Sequence, residues 1–513
     1  MSDNTSNNRR IAKNTLFLYA RMILVLIVGL YTSRVVLGVL GASDFGLYNV
    51  IAGFVILFSF LNTTLSSSLQ RYYNFEGGLK GDQGFTNVFS VGFRVHALLA
   101  IVVFILLETG GLWYINNVMV VPENRISAAN ILYQLSLFSL IIIILQVPYS
   151  GLVIAKERMD FYAIISLVEI VFRLILVILL PKVPYDKLIA YSIIQLFITI
   201  LSFVLYLVYT HKQFKFIHLT KTIDKNLLKS ILSFSGLNLI GSFAFMLKTQ
   251  GVNLILNAFF GTIVNAARGV ASQISGAIMG FSSNISMSFK PQLVSSYAVG
   301  DSSRTFQLFL TQSKICYCLI LMLITPVILE MNYLLDIWLG DSVPKYTNIF
   351  ASLVLIDSMI STLNAPVTQV VYATGNIKRY QIYSAIVNFS LLPVCWLFMK
   401  VGCEPWVAFC ITIVFSVVCQ IVCLRIMHDV FEFSYTEYTK RIIVPCLIMT
   451  IFVPLIPTLI TFLMHDTFLR LILVGATSIL GTIIYLYSFF LSPSEKGYIR
   501  NFIKIKSKKE SIQ

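Results

Sequence analysis

The sequence predicts an all-α polytopic membrane protein, and three observations carry that class. Hydrophobic blocks of about twenty residues follow one another from Thr15 to Leu491. Almost every Lys and Arg lies in the short polar breaks between them, and two stretches far apart in the chain read as copies. A hydrocarbon core about 30 Å thick needs roughly 20 apolar helical residues to cross it, and within it every backbone N–H and C=O must be satisfied inside the segment, so each block reads as a spanning helix. The composition agrees: 57% hydrophobic, 12% charged and a mean hydropathy of +0.83 exceed what a water-soluble chain of 513 residues carries without aggregating.

In order, the expected spans are 15–38, 47–69, 88–112, 127–150, 161–180, 188–210, 230–257, 262–288, 307–330, 347–373, 380–400, 406–427, 442–463 and 469–491, about fourteen in all. The first follows Arg9, Arg10 and Lys13, but its length and the lack of a small-residue cleavage site predict a retained helix and not a signal peptide. With the amino terminus in the cytoplasm, the inside breaks are 70–87, 151–160, 211–229, 289–306, 374–379, 428–441 and the tail from Ser492. Most of the 38 Lys and Arg fall in or beside those breaks, whereas Arg125, Lys182, Lys187, Lys345, Lys400 and Arg470 fall outside. The asymmetry predicts an even number of spans with both termini cytoplasmic. The net charge of +15 is thus spread over alternate loops instead of forming one patch, and nucleic acid is not expected as a partner.

The loop from His211 to Lys229 carries Lys212, Lys215, Lys221, Lys225 and Lys229, with Ile223, Leu227, Leu228, Ile231 and Leu232 at three- and four-residue spacing. Two readings fit: an amphipathic helix lying on the inner leaflet, or a solvated loop that sets orientation. All eight cysteines except Cys403 fall in apolar blocks, where a free thiol is a small hydrophobe; no CxxC pair or Cys/His cluster occurs, so neither a metal nor a bound cofactor is expected.

The copies run from Gly41 to Asp82 (GASDFGLYNV…LQRYYNFEGGLKGD) and from Gly261 to Asp301 (GTIVNAARGV…FKPQLVSSYAVGD). In each, a tight turn leads into a Ser/Thr/Asn-rich span that ends at a charged loop containing Gly and Asp. The second span therefore corresponds to the eighth, which implies two six-helix lobes in parallel orientation with a site near the midplane between them. The expected organisation is an N-terminal lobe at 1–212, a cytoplasmic amphipathic linker at 213–229, a C-terminal lobe at 230–430, two additional helices at 431–491 and a basic cytoplasmic tail at 492–513.

Taken with these copies, the segments RIAKNTLFLYARMILVLIVGLYTSRVVLGVLGASDFGLYNV, SSLQRYYNFEGGLKGD and NAARGVASQISGAIMGFSSNISMSFKPQLVSSYAVGD are similar in position and character to polysaccharide flippases. The chain resembles the O-antigen or capsule type within the multidrug/oligosaccharidyl-lipid/polysaccharide (MOP) exporter superfamily. The resemblance implies a MATE-like fold of two pseudo-symmetric lobes in a bacterial cytoplasmic (inner) membrane. It also implies flipping of an undecaprenyl-pyrophosphate-linked oligosaccharide from inner to outer leaflet by alternating access, for lipopolysaccharide or capsule biosynthesis. Implied partners are the lipid-linked oligosaccharide, membrane lipids, a polysaccharide polymerase and glycosyltransferases; a proton or sodium gradient is the implied energy source.

Charges within spans sharpen the expectation, because a charged side chain facing lipid at mid-bilayer costs roughly 2.5–3.5 kcal/mol. Arg94 lies near a helix end and is read as snorkelling; Arg173 follows Glu169 by four residues and is read as its intrahelical ion-pair partner. Arg21 and Arg34 sit on the first span but about 140° apart around it, so one would line the cavity while the other snorkels. Lys248 and Arg268, deep in the seventh and eighth spans, are the leading candidates for a cationic cavity that holds a pyrophosphate. Asp357 in the tenth span is either a static counter-ion of Lys248 or a coupling switch that releases it. Asn62, Gln273 and Asn284, with the serines around them, would line the cavity for sugar hydroxyls; interhelical hydrogen bonding is the plainer reading of the serines. The chain has no P-loop GxxxxGK(S/T) and no clustered His/Asp pair, so a transporter is expected and not an enzyme. The competing function is a cation-coupled multidrug exporter, which calls for a carboxylate in the first lobe's cavity; the first span offers none.

Overall fold

In the computed structural model the described residues are 2–156, 158–220, 224–491 and 496. Their side chains are described from Ile23 onward, except at 62, 63, 67, 159, 233–235, 237, 238 and 291. Among them there is no strand. The helices are α1 (Ser2–Ile56), α2 (Ser59–Leu106), α3 (Leu112–Asn117), α4 (Ile126–Ala155), α5 (Met159–Leu179), α6 (Lys187–Gln213), α7 (Lys225–Phe260), α8 (Thr262–Ala298), α9 (Ser302–Leu329), α10 (Met331–Leu339), α11 (Thr347–Thr374), α12 (Lys378–Lys400), α13 (Val407–Val430), α14 (Tyr435–Tyr438), α15 (Val444–Phe452), α16 (Leu455–Leu463) and α17 (Phe468–Tyr485).

Twelve helical stretches among the described residues are long and apolar enough to cross a membrane. This is compatible with the expected fourteen. The first three expected spans run through α1 and α2 as two long helices whose backbone leaves helical geometry at Gly41 and Gly81, and α8, rich in serine, is absent from the twelve. Large apolar side chains such as Leu98, Ile101 and Ile105 on α2, or Ile479, Ile483 and Ile484 on α17, are exposed. Such rows are tolerable only where the surroundings are hydrocarbon.

The chain divides into two compact units: residues 1–273, 338–350 and 381–411 form the first, and 274–337, 351–380 and 412–513 the second. In the first, α4 packs between α2 and α6, and one end of this bundle holds an aromatic core of Tyr73, Phe85, Phe89, Tyr149 and Tyr206. Pro148 lies inside the continuous helix α4, and Tyr73 Oη donates to its carbonyl at 3.0 Å.

The described residues 214–220 and the first turns of α7 close over this core. Phe214, Ile217, Leu227 and Ile231 are buried in it, so their apolar surface is covered by protein and not by a leaflet. Asp224 caps α7 by accepting from the Asn226 and Leu227 amides at 3.0 Å each, and Lys225 begins one continuous helix that includes the seventh span. Among the described residues no separate surface helix precedes α7, and the buried setting of Leu227 and Ile231 corrects their leaflet-bound reading; Ile223 lies outside the described residues. Arg94, expected to snorkel, instead donates to the Thr220 carbonyl, while Ser90 Oγ accepts from the Thr220 amide at 3.0 Å.

The two copies meet inside the first unit. Gly41 (φ 73°, ψ 170°) and Gly261 (φ 74°, ψ −169°) share one backbone conformation, a region essentially restricted to glycine. Five residues on, a Cβ at Gly46 would overlap the Thr262 carbonyl and touch the Ala266 amide at 3.1 Å; eight residues on, a Cβ at Gly269 would lie 2.7 Å from Asn49. Positions 46 and 266, and 49 and 269, are equivalents counted from the two turns. Equivalent residues contacting one another is what a local two-fold axis produces.

In the second unit α17 packs on α9. Arg470 forms a two-pronged ion pair with Glu330, Nε–Oε1 2.8 Å and Nη2–Oε2 2.6 Å, with both residues buried. Tyr317 Oη lies 2.6 Å from Thr450 Oγ1, tying α15 to the same helix.

Candidate functional site

The packing of α7 and α8 places the residues expected to form the cationic cavity. Arg268, two turns into α8, donates Nη2 to the Thr249 carbonyl of α7, while its Nε is buried with no acceptor. A guanidinium presents five N–H groups in a rigid plane, and an unmet buried donor costs about 1–3 kcal/mol. Arg268 is therefore an anchored cation whose valence the protein leaves incomplete. Lys248 lies one position before Thr249, half-buried and engaged with a neighbouring group. Gln273 Oε1, further along α8, is also buried without a partner.

The other expected residues distribute as follows. Arg34 is exposed on α1 and has a partner. The side chains of Arg21 and Asn62 lie outside the described residues. Asn284 is half-buried and engaged. Asp357 is half-buried on α11 with its Oδ1 buried and unpartnered; it belongs to the second unit, whereas Lys248 belongs to the first.

Several serines of α8 are used for helix contact. Ser275 Oγ lies 2.9 Å from Ser358 Oγ, Met279 Sδ accepts from Thr362 Oγ1 at 3.6 Å, and the Ser286 carbonyl accepts from Gln369 Nε2 at 3.0 Å, joining α8 to α11. Ser283 returns its proton to the Gly280 carbonyl of its own helix at 2.9 Å. Of these, Ser275 makes an interhelical side-chain bond, whereas Ser283 bonds within its own helix and Ser286 joins α11 through its backbone carbonyl.

Two arrangements were not foreseen. Asn253 and Asn257 of α7 and Asn265 of α8 form a buried amide network: Asn265 Nδ2 donates to Asn253 Oδ1 at 2.7 Å and Asn257 Nδ2 to Asn265 Oδ1 at 3.2 Å. It extends to the Asn49 carbonyl through Asn253 Nδ2 at 3.2 Å, and to the Val120 amide through Asn257 Oδ1 at 3.0 Å. The four-residue spacing of Asn253 and Asn257 in an apolar helix is the signal that could have found it. Second, the expected Glu169–Arg173 pair does not form: neither charged group makes a hydrogen bond or ion pair with a described residue. The i,i+4 spacing permits a pair, yet an exposed pair of this kind gains only about 0.3–0.5 kcal/mol, too little to hold two long side chains against other demands.

No protein-family model matches the chain, and no curated protein matches it. Solved structures do. A lipid II flippase, MurJ, in an inward closed conformation superposes with a TM-score of 0.67 at 16% identity, over 93% of this chain and 99% of its own. The chain has the fold of MurJ and the MATE transporters. An inward-facing multidrug resistance MATE family transporter of the MOP superfamily gives a TM-score of 0.56 at 12% identity over 82% and 96% of the two chains. A Vibrio cholerae MATE transporter, VcmN, gives 0.57 at 15% over 85% and 100%. These neighbours are a flippase and transporters, and the fold spans nearly the whole of each.

Proposed function

We propose that this chain is a flippase that carries an undecaprenyl-pyrophosphate-linked glycan repeat unit from the inner to the outer leaflet of a bacterial cytoplasmic membrane, for O-antigen, capsule or a related surface glycan. The observation that carries the reading is Arg268, held by one backbone carbonyl with its Nε buried and unmet. Pyrophosphate oxygens are the acceptors best matched to such a planar donor set, and Lys248 beside Thr249 adds a movable positive charge. Likeness in fold to a lipid II flippase supports a lipid-linked substrate. Arg21 and Arg34 are the further candidate cations, Asp357 the candidate coupling or counter-ion site driven by a proton or sodium gradient, and Asn62, Gln273 and Asn284 the candidate sugar-facing groups. The polymerase and glycosyltransferases of the same glycan are the expected partners.

A second reading, a cation-coupled multidrug exporter, is favoured by one observation: Glu169 supplies an unpaired carboxylate in the first unit, and MATE transporters share the fold. Deletion in the native host separates the two. The flippase reading predicts accumulation of one lipid-linked oligosaccharide on the inner leaflet and loss of a surface glycan; unchanged lipid-linked sugars with new sensitivity to cationic dyes would establish the exporter instead.

A further inference from the structure

Within the first unit a cavity of about 430 Å³ lies among α2, α4, α5 and α6, remote in sequence from Lys248 and Arg268. Its size falls in the range of small-molecule sites. Gln146, Ser150, Thr199 and Ser202 line it with amide and hydroxyl groups, and Tyr162 and Tyr206 add ring faces with phenolic tips. Gln146 Nε2 donates to Ser202 Oγ at 3.2 Å, which fixes the amide across the α4–α6 interface.

Glu169 and Arg173 face this cavity one helical turn apart, yet make no ion pair with each other and no hydrogen bond to any described residue. Charges kept in a spanning helix and not neutralised by the protein mark a ligand or a water-filled path. Their signs cancel, so the site has no net preference for an anion or a cation. What they do offer is an acceptor-only carboxylate and a donor-only guanidinium side by side, beside Ser150 and Thr199, whose hydroxyls donate to the Val147 and Gln195 carbonyls and keep acceptor capacity. Vicinal hydroxyls of a sugar ring need that combination, and tyrosine faces suit the ring's C–H surface.

We propose that this cavity is a saccharide subsite that takes a neutral part of the glycan, with Glu169 and Arg173 as its specificity-determining pair. The inference rests on the reading of the chain as a carrier of lipid-linked glycan, and extends it: the pyrophosphate is assigned to α7 and α8, and sugar selection to the first bundle.

The test is saturation-transfer NMR on the full chain purified in a detergent without sugar head groups. The probes are cellobiose and N,N′-diacetylchitobiose as neutral saccharides, glycerophosphoethanolamine as a zwitterionic lipid head group, and ethidium as a cationic drug. A disaccharide signal is expected that weakens about tenfold in Glu169→Gln, as loss of a hydrogen bond to a charged group implies. Thr199→Val, which removes a hydroxyl at constant volume, should weaken it as well and guards against misfolding of the charge variant. Absence of saccharide binding, or binding unchanged in both variants, overturns the subsite, as does binding of glycerophosphoethanolamine alone. If export in the host stays normal in those cases, only the subsite falls and the flippase stands. Ethidium binding that Glu169→Gln abolishes, with no saccharide binding, overturns both in favour of the exporter.

Discussion

Arg268 makes one hydrogen bond to the protein while its Nε meets none, so its removal should damage function far more than stability. Arg268→Ala is expected to abolish surface glycan while the protein still reaches the membrane at wild-type level, and Arg268→Lys to rescue only partly because the planar fork is lost. Immunoblotting of membranes beside glycan staining checks both. Normal glycan in Arg268→Ala and Lys248→Ala would return these cations to a structural role. Glu330 is the opposite case: its partner Arg470 is buried and keeps only Asp466 and the Met464 carbonyl if the carboxylate goes. Glu330→Gln should cost about 1.5–3 kcal/mol, because it removes charge-assisted hydrogen bonds to a guanidinium that keeps one other carboxylate. A melting curve of the purified protein, followed by tryptophan fluorescence, would register it.

Arg125 supplies a third residue-scale case, bridging Asp44 through Nη2 at 2.5 Å and Asp186 through Nη1 at 2.5 Å. The guanidinium holds the Asp186 carboxyl below its ordinary value of 3.8. A lowered native pKa stabilises fully above that ordinary value, and the contribution is lost as pH falls through the lower native one. Arg125→Gln should therefore melt lower than wild type at neutral pH, by about 1–2 kcal/mol of stability, with the share carried by Asp186 closing below about pH 4.

At the scale of elements, Gly41 and its counterpart Gly261 break two long helical stretches with the same backbone conformation. Alanine at either position meets a backbone region closed to other residues and should cost about 1–3 kcal/mol, with similar losses at the two sites. Gly46→Ala is different in kind: its backbone is helical, and the penalty arises because the new methyl would overlap the Thr262 carbonyl of α8. Comparative melting of the three variants tests this, since equal stability of Gly46→Ala and wild type would contradict the close approach of α1 and α8. The 211–229 loop shows how far an element can be read from its pattern. Leu227 and Ile231 lie on one helical face, as their spacing predicts, but α2, α4 and α6 cover that face and not lipid. A lipid surface and an aromatic core ask for the same apolar stripe, so periodicity cannot choose between them.

For the whole molecule, the distribution of Lys and Arg predicts orientation. In a variant without cysteine, single cysteines placed in 181–187 and 331–345 should react with an impermeant maleimide in intact cells, and those in 211–220 only after permeabilisation. Labelling of the latter in intact cells would invert the topology. The buried setting of Phe214 and Ile217 makes Lys212 and Lys215 the suitable positions there.

By itself the sequence determined the all-helical membrane class, the order of the apolar helices, the two copies and the placement of Lys248 and Arg268 within long helical stretches. Each depends on local quantities: apolar run length, charge in the breaks, and residue identity at fixed offsets. Tertiary structure decided what each polar group meets. It gave Arg268 a single backbone acceptor, left Glu169 and Arg173 unpaired on a cavity, joined Ser275 to Ser358, and gathered Asn253, Asn257 and Asn265 into one network. Hydrogen-bond partners and cavities arise from contacts between helices distant in the chain, and a pairing worth a few tenths of a kcal/mol along one helix is readily overridden by packing against the next.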